Sequence, residues 1–249
     1  HRLRALFDSG FHPKNSVASG AFDVLTRNVA LPDTSTWTEP ITGTNPHYGL
    51  VAVENGKRGV AVLSHGLTEY EVFDTDSGTI ALTLLRAFSY PKMSGLALEN
   101  RVARVGNDNS QCFGKHAYAL ALCFYSGSWD KSGIVDQMQQ HQYPPMTVHH
   151  SPYKGEGLSR CESFFRLEPS VLSLSAIKQS EDGTMTIVRF FNPLDEPVQG
   201  HFWSRTAVKS VALLNLDETI ASKGTVTRKH HIALTVPAKK IVTLGLTFE

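Results

Sequence analysis

The sequence lacks the charge pattern and the apolar segments that mark two large classes of protein. Lys and Arg total 24 and Asp and Glu total 23, which leaves a formal net charge of +1. A protein that binds nucleic-acid phosphates needs a concentrated basic face, and this balance argues against one. The apolar runs are short and interrupted by charged residues, so none is long enough to span a bilayer. We therefore expect neither a nucleic acid nor a membrane as partner.

Cysteine is also scarce, and its spacing excludes two kinds of cross-link. Cys112, Cys123 and Cys161 are odd in number and far apart, which favours a reducing compartment over a disulfide framework and predicts a cytoplasmic protein. None of the three cysteines or eleven histidines shows the C-x2-C or H-x3-H spacing of a zinc site. Adjacent histidines such as those at 149–150 point to opposite faces of a strand, so they cannot chelate jointly. The sequence thus predicts no metal site.

The start of the chain has no pattern of basic residues, apolar core and small-residue cleavage site, so no secretory signal is predicted. The first ten residues, "HRLRALFDSG", begin directly with a strand-like run. We expect the chain to be part of a longer protein, with any catalytic domain upstream.

What the sequence does contain is a succession of strand patterns. Short runs rich in Val, Ile, Leu, Thr and Phe alternate with Gly, Asp, Asn and Pro, which is typical of an all-β protein. The clearest predicted strands are 60–63, 69–73, 79–86, 117–124, 184–191, 210–214, 231–236 and 240–248. "DTDSG" at 74–78 and "EDG" at 181–183 read as hairpin turns. Apolar residues at helical spacing predict one helix at 130–140, although Gly133 weakens that prediction.

Two regions are predicted, with a boundary near Glu168-Pro169. Residues 1–167 form a large β domain, and residues 170–249 are enough for a small β-sandwich. Long irregular stretches at 27–48 and 89–115 are of the length that is usually functional or packed against a partner.

The segment "GVAVLSHG" at 59–66 raises the possibility of a serine nucleophile. A nucleophile elbow requires G-x-S-x-G followed by a helix, because two glycines allow the sharp turn beneath the serine. Here Val62 replaces the first glycine and another strand follows. The segment is therefore predicted to be a strand end.

Charged residues on two neighbouring strands are better candidates for a site. Glu69 and Glu71 share one face of a strand, with side chains about 7 Å apart. This distance is compatible with the pair of catalytic carboxylates in a glycosidase, but two carboxylates spaced in this way more often mark a solvated strand face. In "TIALTLLR", strict alternation places Arg86 in line with Ile80, Leu82 and Leu84. Such an arginine either offers its charge to a polar substrate at a cleft rim or forms an internal ion pair, which is the commoner use.

Several stretches, taken in order, resemble the C-terminal half of family 38 glycoside hydrolases, the α-mannosidases, and most closely the bacterial members. The stretches are "YGLVAVENGKRGVAVLSHGLTEYEV", "GTIALTLLRAFSY", "SQCFGKHAYALALCFYSGSWDKSGI" and "PSVLSLSAIKQSEDGTMTIVRFFNPLDEPVQG". The resemblance implies a β-supersandwich of the galactose-mutarotase type over 1–167 and a small β-sandwich over 170–249. It also implies that the zinc, the Asp nucleophile and the Asp general acid lie in an N-terminal catalytic domain, since no stretch here resembles their motifs.

The resemblance therefore predicts a non-catalytic region that shapes the sugar cleft of an enzyme hydrolysing α-mannosidic bonds. Its partners would be the catalytic domain of the same polypeptide and an α-mannoside, with a homo-oligomer left open. No catalytic or metal-binding residue is expected in the chain, and Arg86, Glu69 and Tyr70 are the candidate substrate-binding residues. Three alternatives remain at this point: a free-standing carbohydrate-binding module, a mutarotase-like epimerase using His65 and Glu69, and a purely structural domain.

Overall fold

The structure, a computed structural model, describes residues 1–39, 41–87, 111–149, 151, 161–226 and 228–249. The chain forms two compact units. The first contains residues 1–18 and 26–127, and the second contains residues 19–25 and 128–249. The predicted irregular stretch at 89–115 falls outside the described residues except for 111–115.

Among the described residues, nine strands precede one helix. They are β1 (Arg2–Phe7), β2 (Asn15–Gly20), β3 (Asp23–Asn28), β4 (Thr44–Pro46), β5 (Leu50–Glu54), β6 (Arg58–Ser64), β7 (Glu69–Val72), β8 (Ile80–Arg86) and β9 (Leu120–Ser126). They make a four-stranded sheet in the order β1-β8-β7-β4 and a five-stranded sheet in the order β3-β2-β5-β6-β9. Alternating apolar side chains from both sheets form one core, which includes Val51 and Val62 from the larger sheet and Tyr70, Ile80 and Leu82 from the smaller.

The second unit is also a sandwich. Its helix α1 (Ile134–Gln142) is followed by β10 (Phe165–Glu168), β11 (Ser173–Gln179), β12 (Thr186–Phe191), β13 (Val198–Ser204), β14 (Val208–Leu214), β15 (Ile220–Lys223), β16 (His231–Val236) and β17 (Ile241–Phe248). A three-stranded sheet, β10-β13-β16, and a five-stranded sheet, β11-β12-β17-β14-β15, enclose a core around Phe190, Phe202 and Leu244. The predicted all-β fold is confirmed.

The predicted strands are all present, with ends shifted by up to three residues. The predicted hairpin turns are present too, since β7 pairs with β8 and β11 with β12. The helix begins four residues later than predicted, because Gly133 adopts a left-handed conformation (φ 73°) immediately before Ile134. No helix among the described residues is long and apolar enough to cross a membrane.

The compact units divide the chain after Gly127, well before the predicted boundary at 168–169. Two sets of hydrogen bonds explain the difference. Strand β10, which precedes that boundary, pairs with β13 along its whole length. Gln139 of α1 donates to the Ser173 hydroxyl (2.6 Å) and to the Leu174 carbonyl (3.0 Å). Such long-range bonds leave no signal in local composition.

Candidate functional site

One side of the four-stranded sheet is charged, whereas its other side faces the core. Successive side chains of a strand alternate between the two sides, so Tyr70 and Val72 are buried while Glu69 and Glu71 point outward. We call the outward set the charged face, and it consists of Arg2, Arg4, Glu69, Glu71, Thr83 and Arg86.

Glu69 has contacts with three residues of the charged face, and its two carboxylate oxygens differ in their hydrogen-bond partners. Oε1 accepts from Arg2 Nη2 at 2.8 Å and from Thr83 Oγ1 at 2.7 Å. Oε2 accepts only from Arg86 Nη1 among the described residues, at 3.4 Å, which is beyond the usual hydrogen-bond range. Arg2 also donates to the hydroxyls of Thr83 and Thr44, both at 3.2 Å, so its guanidinium is held in place. Glu69 is thus fixed through one oxygen and leaves the other for a further donor.

The second carboxylate of the charged face, Glu71, is paired through one oxygen. Glu71 Oε2 accepts from Arg4 Nη1 at 2.5 Å, and the Arg4 guanidinium lies 5.1 Å from the centre of the Phe73 ring. This pair joins strands β1 and β7 on the charged face. The outward position of both carboxylates agrees with the predicted i, i+2 arrangement.

Arg86 reaches the charged face because β8 is irregular. Leu3 pairs with Leu85 but Arg4 pairs with Thr83, so Leu84 has no partner across β1. An extra residue of this kind reverses the alternation beyond it. The prediction that Arg86 continues the line of Ile80 and Leu82 is therefore wrong, since those two are buried whereas the Arg86 side chain is 68% exposed. The alternative, an internal ion pair, corresponds among the described residues only to the 3.4 Å contact between Arg86 and Glu69.

Tyr70 lies apart from Glu69 and Arg86, although it is adjacent to Glu69 in sequence. Its side chain is completely buried, and its hydroxyl is 3.0 Å from Ser16 Oγ and 3.3 Å from Arg27 Nη1. This position offers no surface to a substrate, so of the three candidate residues the structure brings together only Arg86 and Glu69.

A buried histidine lies against Tyr70. The His47 ring meets the Tyr70 ring edge-on at 5.8 Å, and its Nδ1 accepts the Gly49 backbone N–H at 3.2 Å. Burial lowers the pKa of His47 to about 4, because the charged form would lose its hydration. His47 is therefore a neutral core residue at physiological pH.

The segment at 59–66 ends a strand, as predicted. Ser64 is the last residue of β6 and is completely buried, with no hydrogen-bond partner for its hydroxyl among the described residues. A base that could activate it is therefore missing from its described surroundings. His65 is exposed in the following turn and makes no hydrogen bond with Glu69.

The described residues include no group of three or more His, Cys, Asp or Glu side chains placed to hold a metal ion. The three cysteines, all of which are described, form no disulfide. What the charged face does offer is a paired donor and acceptor, the Arg86 guanidinium and Glu69 Oε2. Sequence reasoning missed Arg2, Arg4 and Thr83, although the alternation of "RLRALF" already places Arg2 and Arg4 on one side of a strand.

Comparison with known proteins gives three findings. Residues 172–244 match the C-terminal beta sandwich domain of glycosyl hydrolase family 38. The chain is 27% identical over 244 residues to a putative mannosylglycerate hydrolase of Halalkalibacterium halodurans, covering 98% of this chain and 25% of that protein. It is similar in fold to the crystal structure of an alpha-mannosidase from Enterococcus faecalis V583, with a TM-score of 0.75 and 22% identity, and covers 26% of that chain.

A second structure from Enterococcus faecalis, of a protein in glycosyl hydrolase family 38, gives a TM-score of 0.72 at 21% identity, again with 26% of its chain covered. The chain thus spans about a quarter of the length of the relatives it matches. The predicted resemblance to the C-terminal β-rich region of a family 38 α-mannosidase is therefore confirmed, and within it residues 172–244 match that family's C-terminal β-sandwich domain.

Proposed function

We propose that this chain is the non-catalytic C-terminal region of an α-mannosidase of family 38, in which it contributes to the sugar cleft. The observation that carries the proposal is the match of almost the whole chain to one quarter of a much longer relative named as a mannosylglycerate hydrolase. A catalytic domain elsewhere in the same polypeptide would perform hydrolysis with net retention through a glycosyl-enzyme. The zinc of the family is expected in that domain, as the resemblance to the family implies.

The contribution of this chain to binding rests on the Arg86–Glu69 pair. Neighbouring hydroxyls of a sugar can each donate and accept, so a guanidinium beside a carboxylate oxygen can hold two of them at once. The Arg86 side chain is exposed and loosely held, whereas Glu69 is fixed through Oε1 by Arg2 and Thr83. A fixed acceptor next to an accessible donor is suited to orienting a mannosyl group. Tyr70 would act only indirectly, by holding β7 against the core.

The name of the relative, a putative mannosylglycerate hydrolase, suggests a hydroxy-acid mannoside as the substrate of the intact protein. Within that substrate, we assign the α-linked mannosyl group to the Arg86–Glu69 pair. A cytoplasmic bacterial location belongs to the same proposal. It is supported by three cysteines that form no disulfide. A free-standing carbohydrate-binding module and a mutarotase-like epimerase are less consistent with the match to glycosidases along almost the whole chain.

The test compares the intact protein, its Arg86→Ala variant and the 249-residue chain alone, in hydrolysis of an aryl α-mannoside with added zinc. We expect activity only when the catalytic domain is present. Loss of a hydrogen bond from a charged group weakens binding by about 1.5–3 kcal/mol, so Arg86→Ala should lower kcat/KM by roughly 10- to 150-fold. The melting temperature should hardly change, because an exposed ion pair at 3.4 Å contributes little stability.

Turnover by the isolated chain would contradict the non-catalytic role. Unchanged kinetics of Arg86→Ala would remove Arg86 from the cleft. A matched control is Arg58→Ala, because Arg58 also makes one hydrogen bond of 3.4 Å, to the Gly10 carbonyl, and lies outside the charged face.

A further inference from the structure

The charged face carries one positive charge more than its carboxylates neutralise. It has three arginines and two glutamates, and three minus two leaves a surplus of one. Arg2 is bound to Glu69 at 2.8 Å and Arg4 is bound closely to Glu71. These two pairs account for both carboxylates, so the surplus charge is that of Arg86.

Arg86 is also the least engaged of the three guanidiniums. Its one acceptor among the described side chains is Glu69 Oε2, reached by Nη1 at 3.4 Å. A guanidinium has five N–H donors in a planar fork, so the remaining donors of Arg86 have no acceptor in the described part of the chain. With 68% of the side chain exposed, the fork can turn toward a ligand.

The geometry of the fork selects the kind of ligand. A single sugar hydroxyl uses one donor, whereas a carboxylate accepts two parallel N–H bonds and also supplies the opposite charge. Glu69 does not prevent this, because its charge is neutralised on the Oε1 side by Arg2 at 2.8 Å and its contact with Arg86 is long enough to be exchanged.

We propose that Arg86 binds a carboxylate on the non-sugar part of the mannoside and so selects a hydroxy-acid mannoside over a neutral one. The inference rests on the proposed function and adds the residue that recognises the carboxylate of its substrate. A glycerate carboxylate is ionised at neutral pH, since α-carboxyl groups titrate near 3.5. Arg86 is then a specificity-determining residue whose remaining donors meet the carboxylate, while its Nη1 and Glu69, which Arg2 holds in place, position the mannosyl hydroxyls.

The test measures kcat/KM of the intact protein for α-mannosylglycerate and for its methyl ester, in which one added methyl group removes the charge of the carboxyl group. The wild type should prefer the acid, and Arg86→Gln should lower the acid-to-ester ratio at least tenfold. Arg58→Gln removes the same charge from outside the charged face and should leave the ratio unchanged. Raising the salt concentration should weaken the preference of the wild type and have little effect on Arg86→Gln.

The outcomes separate the inference from the proposed function. If Arg86→Gln lowers kcat/KM equally for acid and ester, Arg86 serves the sugar alone and the inference is overturned while the proposed function stands. If the ratio falls equally in Arg58→Gln, a diffuse field rather than a specific contact selects the acid, which also overturns it.

If the intact protein hydrolyses neither mannoside, the proposed function fails and direct binding decides the inference. Titration of the intact protein with D-glycerate, against glycerol, should then show binding of the anion that Arg86→Gln weakens at least tenfold. Equal binding of D-glycerate by the wild type and Arg86→Gln would overturn the inference.

Discussion

Gly59 provides a sensitive test of packing in the first unit, because an aromatic ring occupies the space of its missing side chain. Gly59 pairs with Tyr125 on one side and with Glu54 on the other, so the three residues form one row across the sheet. A Cβ added at Gly59 would lie 2.1 Å from Tyr125 Cζ and 2.5 Å from its hydroxyl oxygen. These distances are far below van der Waals contact, so Gly59→Ala must displace the ring.

Displacement of the ring also breaks a hydrogen bond. The Tyr125 hydroxyl donates to Glu54 Oε2 at 2.9 Å. Burial, and then the charge and hydrogen bond of Glu54, raise the pKa of Tyr125, so the hydroxyl remains a donor across the physiological range. A hydrogen bond to a charged group contributes about 1.5–3 kcal/mol. Alanine is favoured over glycine within a strand by roughly 0.5–1 kcal/mol. Gly59→Ala should therefore destabilise the unit by about 0.5–2.5 kcal/mol.

The assay is urea unfolding of four proteins: the wild type, Gly59→Ala, Tyr125→Ala and the double variant. With Tyr125 already truncated, the added methyl group meets no ring, and only the propensity difference remains. Gly59→Ala should then stabilise the protein by about 0.5–1 kcal/mol, which reverses the sign of its effect. An equal loss of stability in both backgrounds would refute the argument that the ring is the obstacle.

Two further predictions concern buried polar side chains. His47 has a pKa of about 4 when folded and 6.5 when unfolded, so it contributes stability that is fully present above pH 6.5 and is lost as the pH falls toward 4. The loss of stability should reach about 3 kcal/mol between pH 7 and pH 4. His47→Asn keeps an acceptor for the Gly49 N–H, so the urea midpoint of this variant should depend less on pH over that range than the midpoint of the wild type. The same pH dependence in both proteins would contradict this assignment. Asn192 is buried and its amide donates to the carbonyls of Glu196 (2.8 Å), Pro237 (3.1 Å) and Val236 (3.3 Å). Asn192→Asp replaces that donor by an acceptor and should lower the free energy of unfolding in urea by about 3 kcal/mol. The control Asn215→Asp, at an exposed turn, should lower it by less than about 1 kcal/mol. Equal losses in the two variants would count against the buried network.

Much of the fold could be predicted because most strands bury one face. Strands such as β12 and β17 combine apolar, β-branched and aromatic residues between turn residues, and both were predicted. Strand β15 (Ile220–Lys223) was not, because all four of its residues are exposed and its sequence has no alternation to detect. It exists through pairing with β14, which is a tertiary interaction.

The candidate site could be predicted only in part, for a similar reason. Alternation along β7 correctly places Glu69 and Glu71 on one side, but it cannot show which partners the other strands supply. Arg2 is 67 residues away from Glu69 in sequence and binds it only because β1 and β7 both pair with β8. The alternation that makes Glu69 a good candidate for substrate binding makes Tyr70 a poor one, because adjacent residues of a strand point to opposite faces.

Arg86 shows why the irregular position matters more than the regular ones. On an unbroken strand it would follow Leu82 toward the core, where an unpaired guanidinium is very costly. The unpaired Leu84 turns it outward instead, beside Thr83 and the one carboxylate oxygen of Glu69 that has room for another donor. Bulges often re-aim a side chain next to an active site. The extra residue at Leu84 thus turns outward an arginine that, among the described residues, still has unused donors. The proposed role of Arg86 in ligand binding rests on both observations.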